Sequence, residues 1–169
     1  MDPIPPTPAP CAAGPTDPSE GRGGGNVHAV ARLCRAPRES AWALLTTAAG
    51  LARWNLGMWH TREVAGGLVT GESLFSGGSG FARIEADAAA GVVRYAVGAA
   101  ADALVPRIEA RVHEGGAFGH PTGTCLVTLL AWRPAGMEAT RWQRLKAAHE
   151  VEIDLIRGVL ESAAGDGGP

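Results

Sequence analysis

The sequence predicts an α+β domain in which one curved antiparallel sheet of about seven strands wraps a long C-terminal helix, with two short helices after the first strand. Three observations support this fold class. One strand pattern and two short helical patterns come first, residues 58–133 then alternate apolar and polar side chains between spaced glycines, and residues 137–162 keep a helical spacing. A chain of 169 residues is long enough for one hydrophobic core and short for two.

The beginning of the chain differs from the rest in composition. Seven of the 12 prolines lie before residue 20, and a run of glycines follows them. Proline blocks helices and sheet ladders, so we predict a disordered tail over residues 1–25, a single domain over 26–163 and a flexible C-terminus over 164–169. The proline stretch is either a solvated leader or a polyproline-type ligand, and the sequence leaves its role open.

The first strand is predicted over residues 26–35, where side chains alternate between two faces. Pro37 suits the first position of a helix, and apolar residues at helical spacing extend that helix over 37–47. Gly50 then interrupts the pattern. A second short helix is predicted over 51–57, closed by its final glycine.

Six further strands follow, separated by glycine turns at hairpin spacing. Their predicted ranges are 58–64, 68–75, 81–87, 92–97, 105–114 and 124–133. The helix over 137–162 presents one stripe towards the sheet, formed by Trp142, Leu145, His149, Ile153, Ile156 and Leu160. Because aromatic residues make up only 5% of the chain, we expect small side chains to leave a hydrophobic cavity between sheet and helix.

Composition excludes several classes of function. The formal net charge is −2 and no basic surface is evident, so neither nucleic acid nor an anionic membrane is an expected partner. No stretch approaches the roughly 20 apolar residues of a membrane span. The three cysteines are far apart in the sequence and form no C-x-x-C pair, which favours a reduced, cytoplasmic protein without disulfides.

Motifs for metal, serine and phosphate chemistry are missing from the sequence. The five histidines are scattered and no H-E-x-x-H occurs, so no metal site is expected. There is no G-x-S-x-G, and the glycine cluster at residues 77–80 lacks the lysine of a phosphate-binding loop.

The pattern of helix, tryptophan and strand spacing resembles a known superfamily. It is carried by residues 30–46, 51–54, 83–87 and 92–95 and by the closing helix around Trp142, His149 and Glu161. Over residues 27–162 the chain resembles the START-related helix-grip superfamily, often labelled SRPBCC, which includes polyketide cyclase/dehydratase-like proteins. The resemblance implies a deep apolar pocket for one hydrophobic small molecule, and no cofactor in most members.

His149 and Glu152 are the first candidate site residues, because both lie on the inward side of the last helix. A carboxylate beside an imidazole can hold one tautomer and raise the pKa of the histidine, which would make His149 a general acid or base. The alternative is a histidine hydrogen-bonded within the core.

Three further polar residues lie within otherwise apolar strand patterns. Tyr95 alternates with valines, so its hydroxyl is expected to point inward and either orient a ligand or make a structural hydrogen bond. An inward Glu72 would have a raised pKa suited to proton transfer, and an exposed Glu72 would not. His60 lines the pocket if its strand face is concave, although the neighbouring Trp59 competes for the inward side.

The predicted catalytic set is therefore His149, Tyr95, Glu72 and His60. The predicted ligand-binding residues are Trp54, Arg62, Arg83, Trp142, Leu145, Glu152 and Ile156. The alternating charges of Arg107, Glu109, Arg111 and His113 instead indicate a solvated strand face with cross-strand ion pairs.

These residues favour a cofactor-independent enzyme of the cyclase/dehydratase type, acting on a polyketide-type or other natural-product intermediate. A non-catalytic carrier or sensor with the same hydrophobic cavity is the alternative. A partner-binding module of the chaperone-activator type would need an exposed patch that the sequence does not offer. Substrate identity, and the choice between monomer and homodimer, stay open.

Overall fold

A computed structural model describes residues 25–165, with the side chains of the last two left aside. The predicted tail at 1–25 and C-terminus at 164–169 fall outside this description, apart from Gly25 and the end of the last helix. The elements are β1 (Val27–Cys34), α1 (Arg38–Thr46), α2 (Ala48–Leu51), β2 (Trp59–Ala65), β3 (Leu68–Glu72), β4 (Ser79–Asp87), β5 (Val92–Gly98), β6 (Val105–Glu114), β7 (Cys125–Trp132) and α3 (Ala139–Gly165). The predicted α+β helix-grip arrangement is confirmed.

The seven strands form one antiparallel sheet in the order β1-β7-β6-β5-β4-β3-β2. The first strand pairs with the last over its whole length, so β1 and β2 occupy opposite edges. This pairing also places Cys34 directly opposite Cys125, and both free thiols are fully buried although they lie far apart in the sequence.

The second helix begins and ends earlier than the predicted 51–57. Thr47 caps it, because the Thr47 hydroxyl accepts a hydrogen bond of 3.0 Å from the backbone N–H of Gly50. Gly50 lies inside the helix and does not interrupt it. A Cβ atom at this position would overlap the backbone carbonyl of Leu44, so the glycine permits the close approach of α1 and α2.

The helix α3 packs mainly on β1 and β7, and it also contacts α1. Its apolar stripe reaches the main core through Ile153, Ile156 and Leu160. A second cluster of Met58, Val69 and Ala82 packs against Ala48 of α2, on the same face of the sheet and nearer the β2 edge. Between residues 25 and 165, no helix combines the length and the apolar character needed to cross a bilayer.

Candidate functional site

A buried pair of titratable side chains lies at the middle of α3. His149 Nε2 is 3.9 Å from Glu152 Oε2, and the two side chains are 2% and 5% exposed. His28 approaches from β1, with its ring centroid 6.0 Å from that of His149. The structure thus places three ionisable side chains between the helix and the first strand.

Glu152 is held from the opposite side by the segment that follows α2. Its Oε1 accepts a hydrogen bond of 2.8 Å from the backbone N–H of Leu56, and the N–H of Gly57 also contributes. Burial raises the pKa of Glu152 to about 7, and the two backbone hydrogen bonds limit that rise because they favour the carboxylate. Glu152 therefore exchanges its proton near neutral pH, as a general acid or base requires.

His149 does not have the raised pKa expected from its acidic neighbour. Burial lowers the pKa of His149 to about 4, and the charge of His28 adds to this effect. At neutral pH the imidazole is uncharged. Its Nδ1 is enclosed, and within the described part of the chain it meets no hydrogen-bond partner. His149 is thus a neutral polar group beside Glu152, and Glu152 is the group that titrates near neutrality.

Tyr95 and Trp54 line the core beyond Glu152. The Tyr95 hydroxyl donates a hydrogen bond of 2.7 Å to the backbone carbonyl of Leu45, and burial raises the pKa of Tyr95. Trp54 is 1% exposed and meets Tyr95 edge-on, with ring centroids 6.3 Å apart. No acceptor from residues 25–165 reaches its Nε1. Tyr95 therefore has the inward orientation expected for it and makes the structural hydrogen bond.

Four predicted site residues, His60, Arg62, Glu72 and Arg83, are exposed and do not join this cluster. His60 lies within an irregularity in the β2–β3 pairing, has a φ of 50°, and lies beside the ring of Trp59. Arg83 alternates with Ala82 and Ile84, which contribute to the core, and so projects from the other face. Glu72 lies at the exposed end of β3 and does not point inward.

The remaining predicted ligand-binding residues on α3 pack within the protein. The Trp142 indole donates a hydrogen bond of 3.0 Å to the backbone carbonyl of Gly25, which anchors the start of β1. Ile156 is fully buried in the main core. Leu145 is half-buried against the cluster of Ala131, Met137 and Trp142, and is the member of this set with surface left to contact a ligand.

The surface of the described residues contains at least two cavities. The larger, of about 360 Å³, lies where Arg38 meets the β4–β5 turn and His113. The smaller, of about 190 Å³, lies between the α1–α2 junction and the sheet, lined by Thr46, Glu63 and Ile84 among others. Ile84 pairs with Tyr95, so the smaller cavity adjoins the face that carries Tyr95. Neither is lined by His149 or Glu152, and the deep central pocket stays a prediction.

The sequence did not identify Thr46 of α1 or Glu63 of β2 as cavity residues. For Glu63 the reason is the irregular β2 pairing, which hides which side chains of this edge strand face the helices. Among the described residues, His, Cys, Asp and Glu side chains form no group of three or more that could hold a metal ion.

No family model matches the sequence. No curated protein matches it either. Solved structures do match, however. The di-domain aromatase/cyclase BexL from the BE-7585A biosynthetic pathway superposes with a TM-score of 0.64 at 16% identity, over 84% of this chain and 48% of BexL. The ZhuI aromatase/cyclase from Streptomyces sp. R1128 gives 0.60 at 16% identity, over 85% and 98% of the two chains.

The chain has the helix-grip fold. This confirms the resemblance to polyketide cyclase-like proteins at the level of the fold. The same helix-grip fold is found in the Aha1 dimer from Colwellia psychrerythraea, which matches with a TM-score of 0.59 at 14% identity, over 80% of this chain and 96% of that one. Identities this low establish architecture alone, so the activity of the helix-grip protein has to be argued from its own residues.

Proposed function

We propose that this helix-grip protein binds a hydrophobic, carbonyl-bearing small molecule between its sheet and α3, and cyclises it without a cofactor. The observation that carries the proposal is the buried carboxyl of Glu152, 5% exposed and 3.9 Å from His149, where burial raises its pKa to about 7. A carboxyl group in this state takes a proton and gives it back at neutral pH. His149 supports the role as an uncharged neighbour that leaves the proton affinity of Glu152 high.

The reaction that fits such a group is an intramolecular aldol condensation. The Glu152 carboxylate removes a proton from a carbon next to one carbonyl, and the resulting enolate attacks a second carbonyl of the same molecule. The protonated Glu152 then delivers that proton to the new alkoxide, so the cyclised product is an isomer of the substrate. A second proton removal with departure of hydroxide releases one water and leaves a conjugated ring.

Substrate reaches Glu152 when the segment at Leu56 and Gly57 moves aside, because the backbone of that segment covers the carboxyl. Most of the rate enhancement in such an enzyme comes from holding a flexible chain with its two reacting carbons together. Small core residues on the sheet, including Ala82 and Ala110, leave the walls able to accommodate a flat product.

A carrier or sensor of the same ligand is the second candidate. One observation favours it: the Tyr95 hydroxyl already donates to the backbone carbonyl of Leu45, so the core supplies fewer free polar groups than an enzyme with several acid/base residues. A carrier needs an apolar lining and one orienting hydrogen bond, which the unpartnered indole N–H of Trp54 can supply.

The test uses a diketone whose carbonyl groups are separated by three methylene groups, since its cyclisation gives a conjugated methylcyclohexenone with a strong ultraviolet absorbance. The wild-type protein should accelerate this conversion, and Glu152→Gln should reduce the rate at least about a hundredfold. Glu85→Gln, an exposed carboxylate on β4, is the matched control and should keep full activity.

Two results would reject the cyclase. One is a wild-type rate equal to that of buffer, and the other is equal activity of wild type and Glu152→Gln. The carrier is then tested separately through quenching of tryptophan fluorescence by methylanthraquinone, a flat carbonyl-bearing ligand. Saturable quenching without turnover indicates a carrier, and no quenching rejects both candidates.

A further inference from the structure

Arg107 occupies an irregular position in β6. Tyr95 pairs with Ile108 and the next residue of β5, Ala96, pairs with Pro106, so Arg107 is the extra residue of a bulge. A bulge breaks the alternation of faces along a strand and redirects the side chain it contains. The alternation read from the sequence, which assigns Arg107 to the solvated face, therefore does not hold at this residue.

The ion-pair network of β5 and β6 leaves Arg107 out, and its carboxylate, Glu109, is only 5% exposed, so the solvated face predicted for these charges is wrong at Glu109. Glu109 accepts from Arg111 Nε at 2.7 Å and lies 3.3 Å from Arg94 Nε. Arg107 is half-buried, and its Nε is enclosed without an acceptor from the described residues. Other arginines of the protein have acceptors, either a carboxylate, as for Arg32 with Asp154, or a backbone carbonyl, as for Arg38 with Ala88. An enclosed guanidinium N–H without such a partner needs an acceptor from outside the chain.

The bulge is connected to the beginning of α3 through β7. Ile108, the next residue, pairs with Ala131 on β7, and Ala131 packs on Trp142. Arg141 precedes Trp142 in the first turn of α3, which contains no acidic residue. Burial of Arg107 and the positive charge of Arg141 both lower the pKa of Arg107. The two side chains are thus close enough to interact, and the first turn of α3 contributes no carboxylate to them.

We propose that Arg107 and Arg141 bind the anionic end of an elongated ligand. This inference rests on the proposed function, because it assigns the other end of that ligand to Glu152. Positions 141, 145, 148 and 152 follow one face of α3 at helical spacing, and eleven residues of helix span about 16 Å. The half-buried Leu145 lies between the two ends. The ligand class is thus an apolar body with a carbonyl group at one end and a carboxylate or phosphate at the other.

The test compares two flat probes that differ in charge, anthraquinone carboxylate and neutral methylanthraquinone, by quenching of tryptophan fluorescence. Wild-type protein should bind the carboxylate about tenfold more tightly, as expected for charge-assisted hydrogen bonds. Arg107→Gln and Arg141→Gln should each remove that preference and keep the affinity for methylanthraquinone. The matched control is Arg144→Gln, which changes an exposed arginine one turn away on α3. This variant should keep the preference for the carboxylate.

A second measurement distinguishes a carboxylate of the ligand from a phosphate. Inorganic phosphate should raise the melting temperature of wild type above that in chloride at equal ionic strength if phosphate is the natural anion, and Arg141→Gln should remove this rise. Arg141 is exposed, so this variant is informative even if Arg107→Gln folds poorly.

Equal binding of both anthraquinones, together with no specific effect of phosphate, overturns the anion site and leaves the proposed function standing. A preference for the carboxylate that survives in both arginine variants also overturns it. If neither anthraquinone binds and the diketone is not cyclised, the proposed function fails, and a phosphate effect lost in Arg141→Gln then supports the arginine pair by itself.

Discussion

Glu152 ties the middle of α3 to the segment after α2, because its carboxyl oxygen accepts a hydrogen bond of 2.8 Å from the backbone N–H of Leu56. The carbonyl of Leu56 in turn accepts from the backbone N–H of Leu74, at 3.1 Å, in the turn between β3 and β4. One buried carboxyl is thereby linked to two surface segments. Its protonation state affects both the stability of the protein and access to the proposed site.

The first prediction concerns the loss of stability as pH rises from mildly acidic to neutral. The pKa of Glu152 is raised in the folded state from its usual 4.5 to about 7, so the folded protein holds this proton more tightly than the unfolded chain. Stability therefore falls as pH rises through this window, by about 3 kcal/mol from this residue. Glu152→Gln removes the titration, so its stability relative to wild type should rise between about pH 5 and about pH 8.

Urea unfolding of both proteins across that range measures the effect. Glu150→Gln changes an exposed carboxylate on the same helix and should show no such trend. The raised pKa of Glu152 would be contradicted if the free energies of unfolding of wild type and Glu152→Gln differed by the same amount at every pH.

The second prediction concerns acid. The pKa of His149 is lowered in the folded state from 6.5 to about 4, so the unfolded chain takes up this proton first as pH falls. As pH falls through this window, the contribution of His149 should lower the free energy of unfolding by about 3 kcal/mol. His149→Gln should lack this contribution. Between about pH 4.5 and about pH 6.5 the contributions of Glu152 and His149 have opposite signs. The double variant should therefore change stability with pH less than either single variant.

Proton NMR of the imidazole ring checks the lowered pKa of His149 directly. The His149 resonances should stay unchanged on acidification until about pH 5, whereas a ring that titrates near its usual pKa would rule out this account. His120→Gln, at an exposed histidine, identifies a solvent-exposed resonance for comparison.

Much of the fold was predictable because alternation and helical spacing are local properties of the chain. The order of elements and most bounds follow from them, and so does the inward orientation of Tyr95 and His149. The bulge at Arg107 and the irregular pairing before Arg62 were not predictable. The extra residue changes which face a side chain occupies, but the apolar and polar residues of the sequence still alternate. The partner of Glu152 was hidden for another reason. Leu56 contributes a backbone N–H, which every residue but proline has, from a position distant in the sequence.

The third prediction separates structure from catalysis at Tyr95. Tyr95→Phe removes the donor to the Leu45 carbonyl and should lower the free energy of unfolding by about 1–3 kcal/mol, because the buried carbonyl loses its partner. Because the hydroxyl is committed to that bond, diketone cyclisation by the folded variant should change little. Urea unfolding and turnover, measured on one preparation, test both parts. A large loss of turnover with unchanged stability would instead assign Tyr95 a direct role.

The last prediction tests the close contact between α1 and α2, which positions both Leu45 and the segment that covers Glu152. Gly50→Ala adds a Cβ atom that would overlap the backbone carbonyl of Leu44, and since backbone cannot rotate away, we expect a loss of about 3 kcal/mol or more. Gly158→Ala makes the same chemical change on α3, where no described atom lies within 4 Å, and should stabilise the protein by about 0.5–1 kcal/mol. Melting curves of the two variants should therefore shift in opposite directions, and a Gly50→Ala protein that melts with wild type would show that α1 and α2 are packed differently.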